Sequence, residues 1–276
     1  MSGTEAPAPS AGGFSPRRVG AMILRYVYLL RGSWPRLLEL AYWPTMQMII
    51  WGLITLHLLQ ESSWVAQAGG VLISAVLLWD VLFRGQLGLS LSFLEEMWSR
   101  NLGHLFVSPL RPYEWVISLM VMSLIRTLIG VVPAALLAIP LYEFNVFSLG
   151  LPLLVFFGNL LVTGWWMALI IVGLILRFGL GAEGLAWLIV FLFAPVSAIY
   201  YPVEVLPPIF QWVAYALPPA HVFEGMRTLL FDGRFETGHL VAAIALNLFY
   251  MTLAGLFFLA FFRHARRQGS LLQQGE

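Results

Sequence analysis

Six stretches, 38–60, 65–86, 115–141, 147–176, 182–201 and 239–262, each run for 20 residues or more with at most two charged side chains. A hydrocarbon core about 30 Å thick needs about 20 mostly apolar residues when crossed as a helix. Inside lipid every backbone N–H and C=O must find a partner within the protein, which leaves helices as the natural solution for such segments. The whole chain agrees: 60% of its 276 residues are hydrophobic and 11% charged, against about 25% charged in soluble domains. The sequence therefore predicts an all-α integral membrane protein with six transmembrane helices.

What lies between the spans adds detail. Residues 1–16, rich in Ala, Pro, Ser and Gly, read as a disordered tail, and no signal peptide is read there. Residues 17–276 read as one domain. From Arg17 to Arg36, Val19, Met22, Ile23, Tyr26 and Leu30 recur at helical spacing, with Arg18 and Arg25 on another face. This is the pattern of an amphipathic helix lying in the membrane interface. The stretch 202–238 holds apolar pieces too short to cross, cut by Pro202, Pro207, Pro208, Pro218 and Pro219. It predicts two short re-entrant helices between the fifth and sixth spans.

Orientation follows from the arginines. With the N-terminus inside, Arg17, Arg18, Arg25, Arg31, Arg36, Arg84, Arg100, Arg111, Arg177, Arg263, Arg266 and Arg267 fall at or near the inner side. Arg227 and Arg234 fall outside, and Arg126 lies within a span. The positive-inside rule then predicts two cytoplasmic termini.

Several chemistries are excluded by what the sequence lacks. There is no cysteine, hence no disulfide or thiolate metal site. There is no lysine either, so no phosphate-binding loop of the Walker type. His57, His104, His221, His239 and His264 show no metal-ligand spacing. Gly179-Leu-Gly-Ala-Glu-Gly184 spells a dinucleotide fingerprint but joins two spans without a preceding strand, so it reads as a turn. With a net charge of +1 and no clustered basic face, nucleic acid is not an expected partner. No catalytic residue, metal or cofactor is expected in this chain, and it does not read as an enzyme.

The segment after the second span, FLEEMWSRNLGHLFVSPLRPYEWV (93–116), carries the strongest functional signal. Leu94, Met97, Trp98 and Leu105 can share a helix face while Glu95, Glu96 and Arg100 are charged; Pro109 and Pro112 end the helix. A short charged helix of this kind suits docking into a soluble partner, and a plain solvated loop is the competing reading. Asn101-Leu-Gly103 followed by Leu105-Phe-Val-Ser-Pro-Leu-Arg-Pro112 resembles the first cytoplasmic loop of the permease subunits of type-2 ABC exporters. Ala194-Pro-Val-Ser-Ala-Ile-Tyr-Tyr-Pro202, then Leu206-Pro207, Gln211-Trp212, Leu217-Pro218 and Glu224-Gly-Met-Arg227, resembles the same family before its last span. Pro218-Pro219 departs from the Asn-Pro usual there. The resemblance implies a translocation pathway along the interface of two permease copies, as a homodimer or heterodimer. It also implies separate ATPase subunits that hold ATP and Mg, grip a coupling helix over Leu94–Phe106 and dock through the loop 94–112. Glu95, Glu96, Trp98, Arg100 and Leu105 are then the docking residues, with Ser108, Pro109, Arg111 and Pro112 as the loop motif. The substrate would be a glycan, a lipid-linked or another amphipathic compound. An ion-coupled secondary transporter is the alternative.

Within the spans, charge costs about 2.5–3.5 kcal/mol on insertion scales. Asp80 and Arg126 are therefore read as a structural ion pair or as polar lining of a pathway. Glu224 and Arg227, three apart on one helix face, join Tyr200, Tyr201, Glu204 and His221 as candidates for an outer gate; capping of the re-entrant helix is the simpler role. Asn159, Asn247, Trp165 and Trp166 read as packing and inter-helix contacts.

Overall fold

The protein is described here by a computed structural model covering residues 13–61 and 63–268. The described residues form ten α-helices and no strand: α1 (Pro16–Arg31), α2 (Trp34–Glu61), α3 (Ser63–Trp98), α4 (Leu102–Val107), α5 (Pro112–Tyr142), α6 (Leu151–Phe178), α7 (Leu185–Phe193), α8 (Pro208–Tyr215), α9 (Pro218–Asp232) and α10 (Thr237–Gln268). Of the expected tail, residues 1–12 lie outside the described residues, as do 269–276 of the expected domain.

Prolines and glycines set most of the boundaries. Pro16, Pro112, Pro208 and Pro218 each stand in a first turn, where the missing N–H is an orphan in any case. Gly179 and Gly233 close α6 and α9 with positive φ. Between Trp98 and Leu102, Arg100 takes a left-handed conformation at φ 55°. The expected coupling helix over 94–106 is thus two pieces: Leu94–Trp98 is the end of α3, and α4 is a separate short helix.

Helix α3 is the axis of the bundle. It packs on α6, α5 and α2, while α10 packs on the far side of α6. Small residues permit these approaches. A side chain at Gly164 of α6 would come within 2.7 Å of the Leu82 carbonyl oxygen and the Gln86 nitrogen on α3. Between α2 and α5, Pro44 supplies no N–H to the Leu40 carbonyl, and that oxygen abuts Gly130, where a Cβ would sit 2.7 Å from it. Close small-residue packing of this kind holds helices together where no hydrophobic effect operates between them. A buried polar lock joins α6 to α10: Asn247 donates to the carbonyl and side-chain oxygens of Asn159 and accepts from Thr163 and from Trp166 Nε1.

Four helical segments among the described residues are long and apolar enough to cross a membrane: Gly70–Trp98, Pro112–Tyr142, Leu151–Phe178 and Thr237–Arg267. They match four of the six expected spans. The expected first span, 38–60, is helical within α2 but does not reach the same threshold. The expected fifth, 182–201, is not one helix. Its start is a 3-10 turn (Leu180–Ala182), α7 covers nine residues, and a second 3-10 turn (Ala194–Val196) follows with Pro195 at its centre. Ala198 then adopts φ 53°, and the chain turns. A proline cannot donate its backbone nitrogen, and a left-handed alanine cannot continue a right-handed helix. The two short helices expected in 202–238 are present as α8 and α9.

Candidate functional site

One end of the bundle, rich in arginine, is built from α1, the last turn of α3, α4 and the first turn of α5. Helix α1 buries Val19, Met22, Tyr26 and Leu30 and packs on α5 and α2. Its arginines are not a free polar face. Arg18 reaches Glu114, whose side chain is fully buried and accepts from Arg18 Nε (2.8 Å), Arg18 Nη2 (2.6 Å), the Ser15 N–H (2.8 Å) and the Arg111 N–H (3.0 Å). A carboxylate in the first turn of α5 is also favoured by the positive end of the helix dipole. Hydrogen bonding to Glu114 holds the Arg18 guanidinium above its ordinary range.

A second pair lies one layer inward. Glu96, 2% exposed, accepts from both terminal nitrogens of Arg25 and from Asn101 Nδ2. Tyr26 hydroxyl accepts from Trp115 Nε1 at 3.0 Å beside it. Hydrogen bonding to Glu96 raises the Arg25 guanidinium against the opposite pull of burial. Glu96 is therefore a structural anchor rather than the available docking charge expected of it, because a carboxylate at this buried position needs partners. Glu95 is likewise engaged, with Arg36 (3.4 Å) and Arg126 (3.2 Å). What faces outward is Trp98 (51% exposed), Arg100, His104, Val107 (89%), Ser108, Pro109 and Tyr113 (40%). Leu105 is buried and holds α4 down, Arg111 and Pro112 are half-buried, and Trp98 Nε1 donates to Glu183 at 3.2 Å.

Above this end, a cavity of about 550 Å³ runs along α3 from Glu95 to Asp80, a rise of about 22 Å. Its sides come from α2 (Leu40, Trp43, Gln47) and α7 (Trp187, Phe191), and Arg36, Glu39, Arg84 and Arg126 also reach it. The expected Asp80–Arg126 ion pair is not formed. Arg126 turns toward the arginine-rich end and bonds Glu95 instead. The long guanidinium reaches an anion nearer the interface, so neither ion has to remain at full membrane depth. Asp80, 1% exposed, makes no hydrogen bond among the described residues, and its Oδ2 is buried without one. Arg84, one turn further along α3 and 9% exposed, likewise makes no hydrogen bond or ion pair among the described residues.

An aromatic pair lies near Asp80, outside the residues that line the cavity. Trp51 of α2 stacks on Tyr200, with centroids 4.5 Å apart and planes 16° from parallel. Tyr200 sits in the turn after α7, and α9 pins that turn. Arg227, 7% exposed, donates to the carbonyls of Ala198 (2.6 Å) and Ile199 (3.4 Å) and bonds Glu224, which accepts from the Val203 N–H at 2.7 Å. These are the bonds that make the strained Ala198 conformation sustainable.

A family model for ABC-2 type transporters matches residues 29–231. The chain belongs to that family. No curated protein matches it. The matched region takes in the arginine-rich end from α2 onward, the cavity and the Tyr200 turn, stopping at the end of α9. Membership makes this chain an ABC transporter permease, a membrane transport component with no catalytic role of its own, and implies an ABC ATPase as its partner.

The other sequence-level candidates divide in two. Tyr200, Glu224 and Arg227 come together as described. Tyr201 instead donates to the Pro195 carbonyl, Glu204 is exposed and contributes its carbonyl to Gln211, and His221 turns away from Tyr200 toward α10. His221 donates from Nε2 to the Tyr215 carbonyl (2.8 Å) and faces His239 Nδ1 at 3.2 Å; burial lowers it below its ordinary value. Glu114, Arg25, Glu39 and Trp51 were not expected at any site. Glu114 was the most legible of them, since Arg111-Pro-Tyr-Glu114 places a carboxylate at the third position of a proline-started helix. No His, Asp or Glu group able to hold a metal occurs among the described residues.

Proposed function

We propose that this ABC-2 permease is the membrane subunit of an ATP-driven exporter, paired with a second permease copy. In this reading the chain crosses the inner membrane six times, with α2 and the segment 180–201 as crossings beside the four long ones, and both termini are cytoplasmic. Helices α8 and α9 re-enter from the far side. A separate ATPase, which carries the ATP and Mg, docks on the arginine-rich end. An amphipathic compound such as a glycan or lipid-linked molecule is the cargo, and the Trp51–Tyr200 stack is the outer gate.

The observation that supports this most is the build of α4. With the turn before it, α4 presents Arg100, His104 and Val107 outward, while Glu96, bonded to Arg25 and Asn101, ties its base to α1 and α3. A push on α4 would therefore move α1 and α3 together, and α3 lines the cavity. The docking test is the triple variant Arg100→Glu, His104→Glu and Val107→Glu. It should fold as the parent does yet lose co-purification of a nucleotide-binding subunit and of vanadate-sensitive ATP hydrolysis. Unchanged recovery of that subunit would overturn the docking assignment.

Asp80 is the one observation that favours ion-coupled transport, since a carboxylate without a partner inside a membrane is what such a carrier uses. Proton-driven uptake by the purified chain alone, abolished by Asp80→Asn, would establish that second reading.

A further inference from the structure

A buried arginine without a partner is a chemical demand. A carboxyl at such a site can shed its charge by taking a proton, whereas a guanidinium stays charged at any physiological pH. Arg84 is 91% buried, counted from its 9% exposure, yet no hydrogen bond or ion pair satisfies it among the described residues. The carboxylates of Asp80 and Glu39 lie within electrostatic reach of it without bonding to it. Gly130 lies behind it: a Cβ there would be 3.0 Å from Arg84 Nε, which fixes the guanidinium against the cavity wall. The other arginines of the cavity, Arg36 and Arg126, are already held by Glu95.

The surroundings are of a different kind. Around the guanidinium the walls are Trp43, Phe83, Leu87, Trp187 and Phe191. The volume falls within the roughly 300–1,000 Å³ of ligand sites, where apolar walls and a few placed polar groups are the rule. A small hydrophilic anion would leave these rings against nothing, and a neutral hydrocarbon would leave Arg84 unanswered.

We infer that the cavity between α2, α3 and α7 binds an anionic amphiphile, its oxyanion headgroup on Arg84 and its apolar chain against Phe83, Leu87, Trp187 and Phe191. The guanidinium fork suits two-point hydrogen bonding to phosphate or carboxylate oxygens. Asp80, one turn away, disfavours a second negative charge and so selects a singly charged or hydroxyl-bearing head. The inference rests on the permease reading only for the route by which the ligand arrives and leaves; occupancy of the cavity does not depend on any ATPase.

The test uses the full chain in nanodiscs of neutral lipid, with no partner subunit. The probe is lysophosphatidylglycerol, and monoacylglycerol of the same chain length is the uncharged comparison. Binding is read by quenching of tryptophan emission with bromine-labelled chains. Lysophosphatidylglycerol should bind at least tenfold more tightly than monoacylglycerol, Arg84→Gln should abolish that preference, and Arg84→Lys should restore most of it. Equal binding of the two amphiphiles to the parent chain, or an unchanged preference in a folded Arg84→Gln, would overturn the inference. A second measurement needs no variant: a diazirine-bearing lysophosphatidylglycerol should label peptides spanning 83–91 and 187–191. Labelling confined to other segments would equally overturn it. With the ATPase added, ligand whose occupancy falls during ATP turnover is cargo, and ligand that persists is a resident membrane lipid. Both sources meet the inference. Loss of ATPase recovery with binding intact would instead count against the permease reading alone.

Discussion

The arginine-rich end and the cavity just above it contain the same side-chain types and treat them in opposite ways. At the end of the bundle each buried carboxylate is saturated: Glu114 accepts four hydrogen bonds and Glu96 three. In the cavity Asp80 and Arg84, one turn apart on one helix, satisfy neither each other nor anything else with a hydrogen bond. Burying an ion is repaid only when the geometry is good and the remaining hydrogen-bonding positions are filled. The first region meets that condition and is architecture. The second does not, and its retention of charge is explained by something that arrives from outside the chain.

The contrast can be broken at three places. Glu96→Ala should have the largest effect, on the order of 3 kcal/mol, since it removes all three hydrogen bonds by which Arg25 and Asn101 are held to α3. Thermal unfolding in detergent should show a clearly lowered midpoint and exposure of Trp115; an unchanged midpoint would mean that the saturated pairs are not what holds α1 to the bundle. Arg227→Ala should release the Tyr200 turn by removing two carbonyl bonds, a loss of about 2 kcal/mol. The absence of native cysteine makes this directly readable. A maleimide should label Tyr200→Cys several times faster beside Arg227→Ala than in the otherwise unaltered chain; equal rates would mean that Arg227 does not hold the Tyr200 turn. The smallest effect belongs to the double variant Asp80→Asn with Arg84→Met. It should shift stability by no more than about 1 kcal/mol, in either direction, because an unsatisfied buried ion contributes little to the fold. Its unfolding midpoint should match the parent while its amphiphile binding disappears. A drop as large as that of Glu96→Ala would erase the distinction between the two regions.

Much of this was written plainly in the chain. The four long helices, the amphipathic α1 and the prolines that bracket α4, α8 and α9 follow from hydropathy and from residues that cannot donate a backbone bond. The distinctive loop after α3 is legible in its sequence pattern. Its charges were misjudged, because spacing along a helix tells which residues share a face and not what faces them. Glu96 looked available until Arg25, 71 residues away, was seen against it. For the same reason the reading of Asp80 and Arg126 as an ion pair or pathway lining, made from the cost of burying charge, missed Glu95 as the anion that Arg126 bonds. The expected fifth span differs in another way, being broken where one continuous helix was expected. Its hydropathy is high throughout, and the break at Pro195 and Ala198 is a backbone event that a hydropathy average cannot register.

By itself the sequence determined a helical membrane protein without a Walker-type phosphate loop, because composition, helix length and missing lysine act residue by residue, and its two loop motifs carried the resemblance to the ABC-2 family. Only the tertiary structure decided which ions are satisfied and which are not. Satisfaction is a matter of distances of about 3 Å between helices far apart in the chain, and no local pattern encodes it. Thus Glu114 and Glu96 became clamps, Arg227 became the support of a strained turn, and Arg84 was left charged, buried and without a hydrogen bond in a cavity whose walls include aromatic rings.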